Sequence, residues 1–161
     1  MTTISTKEFV LGKLSELDES SLLELYLDFV KKQKQTKELP ISLFKYDLPP
    51  SELIIKYLKE NLGLEISEIA KLLDRNSGAI FTSYKHAVKK FSKRLVPEDS
   101  SITIPIDILA NRSYSVLENI IVYLHEIKKL KLKEVSVLLN KSPKTVYTTY
   151  NRVIKKRGGN S

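Results

Sequence analysis

Between Leu64 and Leu95 the apolar residues fall into two helical stripes with a break between them. Ile69, Leu72 and Leu73 share one face and predict a helix over 67–73. Asp74-Arg75-Asn76-Ser77-Gly78 then interrupts the pattern, and Asn and Ser are residues that stop one helix and cap the next. Ile80, Tyr84, Ala87 or Val88, and Phe91 recur at i, i+4, i+7 and i+11, which predicts a second helix from near Ser77 to about Lys93. Its other face carries Thr82, Ser83, Lys85, His86, Lys89 and Lys90. Short polar and basic side chains on an exposed helix that follows a turn suit a DNA major groove. The bland alternative is a solvated face on an ordinary helical bundle.

The chain repeats this pattern. At a spacing of 66 residues Glu52, Ile54, Ile55, Tyr57 and Leu58 return as Glu118, Ile120, Ile121, Tyr123 and Leu124. Glu68, Leu72 and Leu73 return as Glu134, Leu138 and Leu139, and Thr82, Tyr84, Lys89 and Lys90 as Thr148, Tyr150, Lys155 and Lys156. Upstream, Leu39-Pro40-Ile41 answers Ile104-Pro105-Ile106 at a spacing of 65. A whole folding unit is duplicated. Matching core positions alone would need only a shared fold. The return of Thr-x-Tyr and the Lys-Lys pair suggests that the surface was duplicated as well.

Glu68-Ile69-Ala70, Leu73, Asn76-Ser77, Ile80-x-Thr82-x-Tyr84, Ala87 and Lys89-Lys90-Phe91 together resemble the helix-turn-helix of sigma-factor region four, a promoter-reading module. Glu134-Val135, Leu139-Asn140-Lys141-Ser142-Pro143-Lys144-Thr145-Val146-Tyr147-Thr148-Thr149-Tyr150-Asn151-Arg152 is a comparable match. The resemblance covers roughly residues 50–95 and 114–157 and is similar to that of small bacterial and archaeal regulators. The chain has two such units in place of one and nothing like the other promoter-gripping region. The resemblance therefore implies a tandem helix-turn-helix protein.

The remaining segments read simply. Ser5 or Thr6 can cap a helix to about Leu17, and Asp18 a second to about Lys34. The second carries apolar residues well beyond one stripe, so a single partner would not cover them. Two readings stay open: docking on the first repeat, or a dimerisation hairpin. Residues 39–50 hold Pro40, Pro49 and Pro50, so Pro40 to Phe44 reads as an extended or single-turn piece, and Pro50 opens a helix to about Leu62. Val96-Pro97-Glu98-Asp99-Ser100-Ser101 reads as a linker. Ser115 caps a helix to about Lys128, a further helix covers 132–139, and Ser142 with Pro143 opens the last, to about Lys156.

Composition narrows the function. The chain has 161 residues, no Cys and a net charge of +8. Residues 1–40 carry 6 basic and 7 acidic side chains, residues 41–97 carry 10 and 6, and residues 98–161 carry 11 and 6. The excess sits in the repeats, around the second helix of each, as phosphate contact requires. No apolar run reaches the ~18 residues of a membrane span, and the N-terminus lacks a signal-peptide layout. The expected location is cytoplasmic, on the nucleoid. No catalytic residue, metal site or cofactor is expected, because neither His86 nor His125 has a ligand neighbour at useful spacing and the five glycines form no phosphate loop.

The expected fold is all-α: an N-terminal helical hairpin over 1–37, helix-turn-helix repeats over 38–96 and 104–157, a linker at 97–103 and a flexible tail at 158–161. The expected function is binding of double-stranded DNA, as a transcription regulator or sigma-like factor. Thr82, Ser83, His86, Thr148, Asn151 and Arg152 are candidates for base edges. Lys85, Lys89, Lys90, Arg94, Lys144, Lys155 and Lys156 are candidates for phosphates. Phe81 and Tyr147 follow core positions and should point outward, where an aromatic can meet a thymine methyl or a protein. RNA polymerase or another protein is a further expected partner, as is a second copy held through residues 1–35. The alternatives are an adaptor docking on the transcription machinery and a non-specific chromatin protein.

Overall fold

The structure, a computed structural model, describes residues 5–34 and 37–158. The chain divides between residues 36 and 37 into two compact units. The described residues are mostly helical, with one two-stranded sheet among them. No helix among them is long and apolar enough to cross a membrane.

The first unit holds α1 (Thr6–Ser15) and α2 (Glu19–Lys34). Ser5 closes a reciprocal cap on α1: its Oγ accepts from the Glu8 N–H at 3.2 Å, and the Glu8 carboxylate accepts from the Ser5 N–H at 3.1 Å. Asp18 accepts from the Ser21 N–H at 2.9 Å and opens α2. Helix α1 buries none of its residues.

The second unit holds both repeats. The first consists of β1 (Glu38–Pro40), a 3₁₀ turn (Ile41–Lys45), α3 (Pro50–Glu60), α4 (Ile66–Leu73) and α5 (Ser77–Lys90). The second consists of β2 (Thr103–Pro105), a 3₁₀ turn (Ile106–Ala110), α6 (Val116–Val122) running into a π-helical turn (Tyr123–Ile127), α7 (Leu132–Leu138) and α8 (Pro143–Gly158). Of the tail expected at 158–161, only Gly158 lies within the described residues.

The repeats meet through their own equivalents. Strands β1 and β2 pair antiparallel, with Glu38 opposite Pro105, Leu39 opposite Ile104 and Pro40 opposite Thr103. Leu39 and Ile104 are the same position in the two copies, so each strand pairs with its own duplicate. The flanking bonds follow the same rule: Ile41 N–H donates to the Ile102 carbonyl at 3.1 Å, and Ile106 N–H to the Lys37 carbonyl at 2.9 Å. Residue i contacting j while j contacts i marks a local two-fold relation. Helices α3 and α6 also pack on each other.

The 3₁₀ turns are exchanged across this relation. Residues 106–110 pack on α4 as well as on α6, and residues 41–45 pack on α7 as well as on α3. One hydrophobic core therefore runs through both copies, with Leu39, Leu43, Ile104 and Leu109 fully enclosed. A unit of this size buries too little surface by itself to be comfortable. Each fully buried Leu or Ile contributes about 1.5–3 kcal/mol over an exposed one. Sharing the core raises the number that qualify.

The stretch read as a linker is tied to the fold. Ser42 N–H donates to Ser100 Oγ at 3.2 Å, Ser42 Oγ–H donates to the Glu98 carbonyl, and Val96 N–H donates to Tyr46 Oη at 2.8 Å. Helix α5 stops at Lys90, short of the expected Lys93. Phe91 turns to extended backbone and packs on Tyr46 with ring centroids 5.1 Å apart, and Leu95 is buried beyond it. That pull removes Arg94 from the helix. Helix α8 has Arg157 in place of Phe91 and continues to Gly158.

The exits of α3 and α6 are closed alike. Leu62 N–H reaches the Tyr57 carbonyl at 3.2 Å, and Lys128 N–H reaches that of Tyr123 at 3.0 Å. The next residue is left-handed in both copies: Gly63 with φ of 68° and Lys129 with φ of 60°. Glycine takes that conformation freely, whereas a Cβ opposes it. Lys129→Gly is therefore expected to raise stability by about 0.5–1 kcal/mol, and Gly63→Ala to lower it by about 1 kcal/mol. Urea unfolding of the two variants checks both signs.

Candidate nucleic-acid interface

In each repeat a short turn sets the last helix. Helix α4 ends at Asp74 with φ of 49°, and α7 is followed at the matching place by Asn140 with φ of 53°. Asp and Asn tolerate the left-handed region better than other residues with a Cβ. Both turns close with the same bond, Arg75 N–H to the Ala70 carbonyl at 2.9 Å and Lys141 N–H to that of Ser136 at 3.0 Å. Asn76 caps α5 by accepting from the Gly78 N–H at 2.8 Å. Ser142 caps α8 by accepting from the Thr145 N–H at 3.1 Å, with Pro143 at the first helical position.

The buried sides of these helices match. Ile80 and Ala87 are enclosed in α5, and Val146, Thr149 and Val153 in α8. The opposite sides match too. Phe81, Thr82, Lys85 and Lys89 recur at i, i+1, i+4 and i+8 and form one exposed stripe on α5. Tyr147, Thr148, Asn151 and Lys155, with Lys144 ahead of them, form the same exposed stripe on α8. Phe81 is 51% exposed and Tyr147 60%, large values for aromatic rings. Lys85 Nζ lies 5.4 Å from the Phe81 ring centroid, a cation–π distance. Among the described residues, Lys89, Lys144 and Lys155 have no side-chain hydrogen bond or ion pair, so their charges face solvent.

Other candidates occupy different places. Lys90 Nζ donates to both oxygens of Glu52, at 2.9 and 3.1 Å, and Lys156 Nζ donates to Glu118 at 2.6 Å. Each Lys-Lys pair thus splits: the first lysine faces outward and the second clasps its helix to α3 or α6. His86 and Arg152 sit on the flank beside the same acids. His86 Nδ1 is 3.9 Å from Glu52 Oε1, and the charge of Arg152 acts on Glu118. Thr82 Oγ1 donates to the Gly78 carbonyl at 2.9 Å, which leaves its lone pairs for a donor outside. Ser83 is half-buried, and its counterpart Thr149 is buried with Oγ1 donating to the Thr145 carbonyl at 2.7 Å. Arg94 is exposed, beyond the end of α5.

A second clasp is also duplicated. Tyr84 Oη donates to Glu60 at 3.1 Å, and Tyr150 Oη donates to Glu126 at 3.0 Å. The cation that completes it differs. In the first repeat it is the fully buried Lys56, 2.7 Å from Glu60. In the second it is Arg157, whose two terminal nitrogens meet the two Glu126 oxygens at 2.6 and 3.1 Å. The Glu, Tyr and second-Lys identities of the repeat were therefore legible in the sequence but had a structural cause there.

Burial and the neighbouring carboxylate push the phenols of Tyr84 and Tyr150 up. The Arg157 hydrogen bonds hold the Glu126 carboxyl below its ordinary 4.5, against the opposing effect of burial. At Glu118 burial opposes ionisation, but the bonds from Lys156 and from the Ser115 N–H outweigh it and the carboxyl again lies low. Both acids are more acidic folded than unfolded, so the unfolded chain takes up protons first. Their stabilisation is complete above about pH 4.5 and is lost as pH falls through the lowered values. Glu126→Gln should lower Tm by a few degrees at pH 7 and flatten its decline between pH 5 and 3. Calorimetry across that range reads both effects; an unchanged acid slope would remove Glu126 from the account.

Comparison with protein-family models, with curated proteins and with solved structures finds no match to this chain.

Proposed function

We propose that residues 37–158 bind double-stranded DNA as an internal pair of helix-turn-helix units and act in transcription regulation. The observation that carries this reading is the two-fold pairing of the repeats together with the matching exposed stripes on α5 and α8. Dimeric helix-turn-helix proteins present two such helices to half-sites about one turn, ~34 Å, apart. One chain here supplies both. The outward stripes combine what groove binding needs: hydroxyls and an amide for base edges, lysines for phosphates, and an aromatic that can meet a thymine methyl.

The roles divide along the stripe. Lys85, Lys89, Lys144 and Lys155 hold phosphates. Thr82, Thr148 and Asn151 face bases, with His86 and Arg152 reaching from the flank. The copies differ where readout is richest, because Asn151 and Arg152 stand where the first repeat has Lys85 and His86. Asn pairs with adenine and Arg with guanine through two hydrogen bonds, which Lys and neutral His do not offer. The second repeat then carries most of the specificity and the first more of the general affinity.

A docking role is the second reading, and one observation favours it. Tyr147 and Ile154 are exposed apolar residues seven apart on one face of α8, and Val137 on α7 is 76% exposed. Such a strip suits a protein surface of the transcription machinery.

Selection from a randomised duplex separates the two readings. The expected product is an inverted pair of unequal half-sites, with affinity falling by a log–log salt slope of about −0.9 per phosphate contact. Asn151→Ala or Arg152→Ala should each cost about 1–3 kcal/mol on that product and relax one half-site only. Lys89→Ala should weaken all sequences alike and reduce the slope by about one contact. No binding to any duplex at low salt, or a flat salt response, would transfer the stripes to a protein partner.

A further inference from the structure

We propose that the α1–α2 segment pairs with the same segment of a second chain to form a four-helix bundle. The inference goes beyond DNA binding and does not rest on it. Its starting point is an excess of apolar surface within the first unit. From Leu25 through Phe29, Leu22 and Tyr26 to Leu27, apolar positions span roughly 200° of α2 at ~100° per residue. A helix with one packing partner needs a stripe only about 100° wide. Among residues 5–30, only Leu14, Ser21, Leu22 and Val30 are even half-buried. The two helices therefore do not cover each other.

The uncovered area is the size a dimer needs. Nine large apolar side chains of this unit are 40–63% exposed. At about half exposure each offers on the order of 100 Å², so together they offer roughly 900 Å² per chain. A standard stable interface buries about 800 Å² from each partner. Isolated exposed apolar residues are ordinary, but this many within one 30-residue segment mark an interaction surface.

Charge along α2 indicates a second copy as the occupant. The helix starts with Asp18 as cap and Glu19, carries Glu24 and Asp28, and ends with Lys31, Lys32 and Lys34 in its sequence. Two copies laid antiparallel set the acidic start of each beside the basic end of the other. A parallel pair sets like against like. Antiparallel alignment about a centre near Tyr26 is self-complementary, as an isologous interface requires. In such a bundle the apolar arc of each α2 closes against its partner copy and the two α1 helices.

Sedimentation equilibrium of the full chain, without DNA, tests this. The expected mass at micromolar concentration is twice 18.4 kDa. Tyr26→Glu combined with Phe29→Glu should raise the dissociation constant at least ~100-fold. Residues 37–158 should keep their thermal transition in that variant. A mass of 18.4 kDa at every concentration, or a double variant that stays dimeric, overturns the proposal. Because the chain has no cysteine, single introduced thiols report the register. Tyr26→Cys should cross-link under mild oxidation. Glu19→Cys should not, since antiparallel pairing holds its two copies about 20 Å apart. Equal cross-linking at both positions overturns the antiparallel arrangement.

Discussion

Leu39 against Ile104 is the contact on which residues 37–158 are arranged. The strands that carry them are only three residues long, and such a pair has little stability alone. It holds because both side chains are fully enclosed and because the segments on either side are exchanged between the repeats. The 3₁₀ turn of each copy completes the core of the other. Neither copy has a finished core until the strands have met. The relation of the two copies is thus a condition of folding, and α5 and α8 inherit it.

The duplicated polar residues answer two separate demands. Glu52, Glu60, Glu118 and Glu126 lie against packed helices, where a carboxylate loses hydration and needs partners. Lys90 and Lys156 meet that need for two of them, and Tyr84 and Tyr150 contribute to the other two. The remaining cation comes from α3 in the first repeat and from the end of α8 in the second. The same requirement is satisfied from different places in the chain, as expected when selection acts on charge balance and not on one residue. Phe81, Thr82 and Lys89, with Tyr147, Thr148 and Lys155, return under no such demand. They are exposed and, apart from the internal bond of Thr82, their side chains make no hydrogen bond or ion pair among the described residues. Their repetition is the part that faces outward.

The two units of the chain manage apolar surface differently. In residues 37–158 the exposed large apolar side chains are single or paired, and the rest are packed. In residues 5–34 they are the majority of the apolar residues present. Caps at Ser5 and Asp18 define the two helices well, so local structure there does not depend on burial.

Local chemistry made the elements legible in the sequence. The caps at Ser5, Asp18, Asn76, Ser115 and Ser142 stand where periodicity and residue type place them, and the helices begin within a residue or two of their expected starts. The duplication was visible because matched cores need matched side chains. The inner role of Lys90 and Lys156 was not visible, since a lysine next to a lysine looks alike whether it meets solvent or a carboxylate 38 positions away. The left-handed residues Asp74, Asn140 and Lys129 were hidden for a similar reason: an Asp, Asn or Lys at a helix end looks alike whether its φ is negative or positive. The pairing of Leu39 with Ile104, and the exchange of the 3₁₀ turns, left no trace in local pattern. A strand of three residues has no periodicity to read, and two equal copies can each close on themselves or on each other with the same apolar positions. Only the packing of the whole chain chooses between those, because the choice depends on which arrangement buries both cores at once.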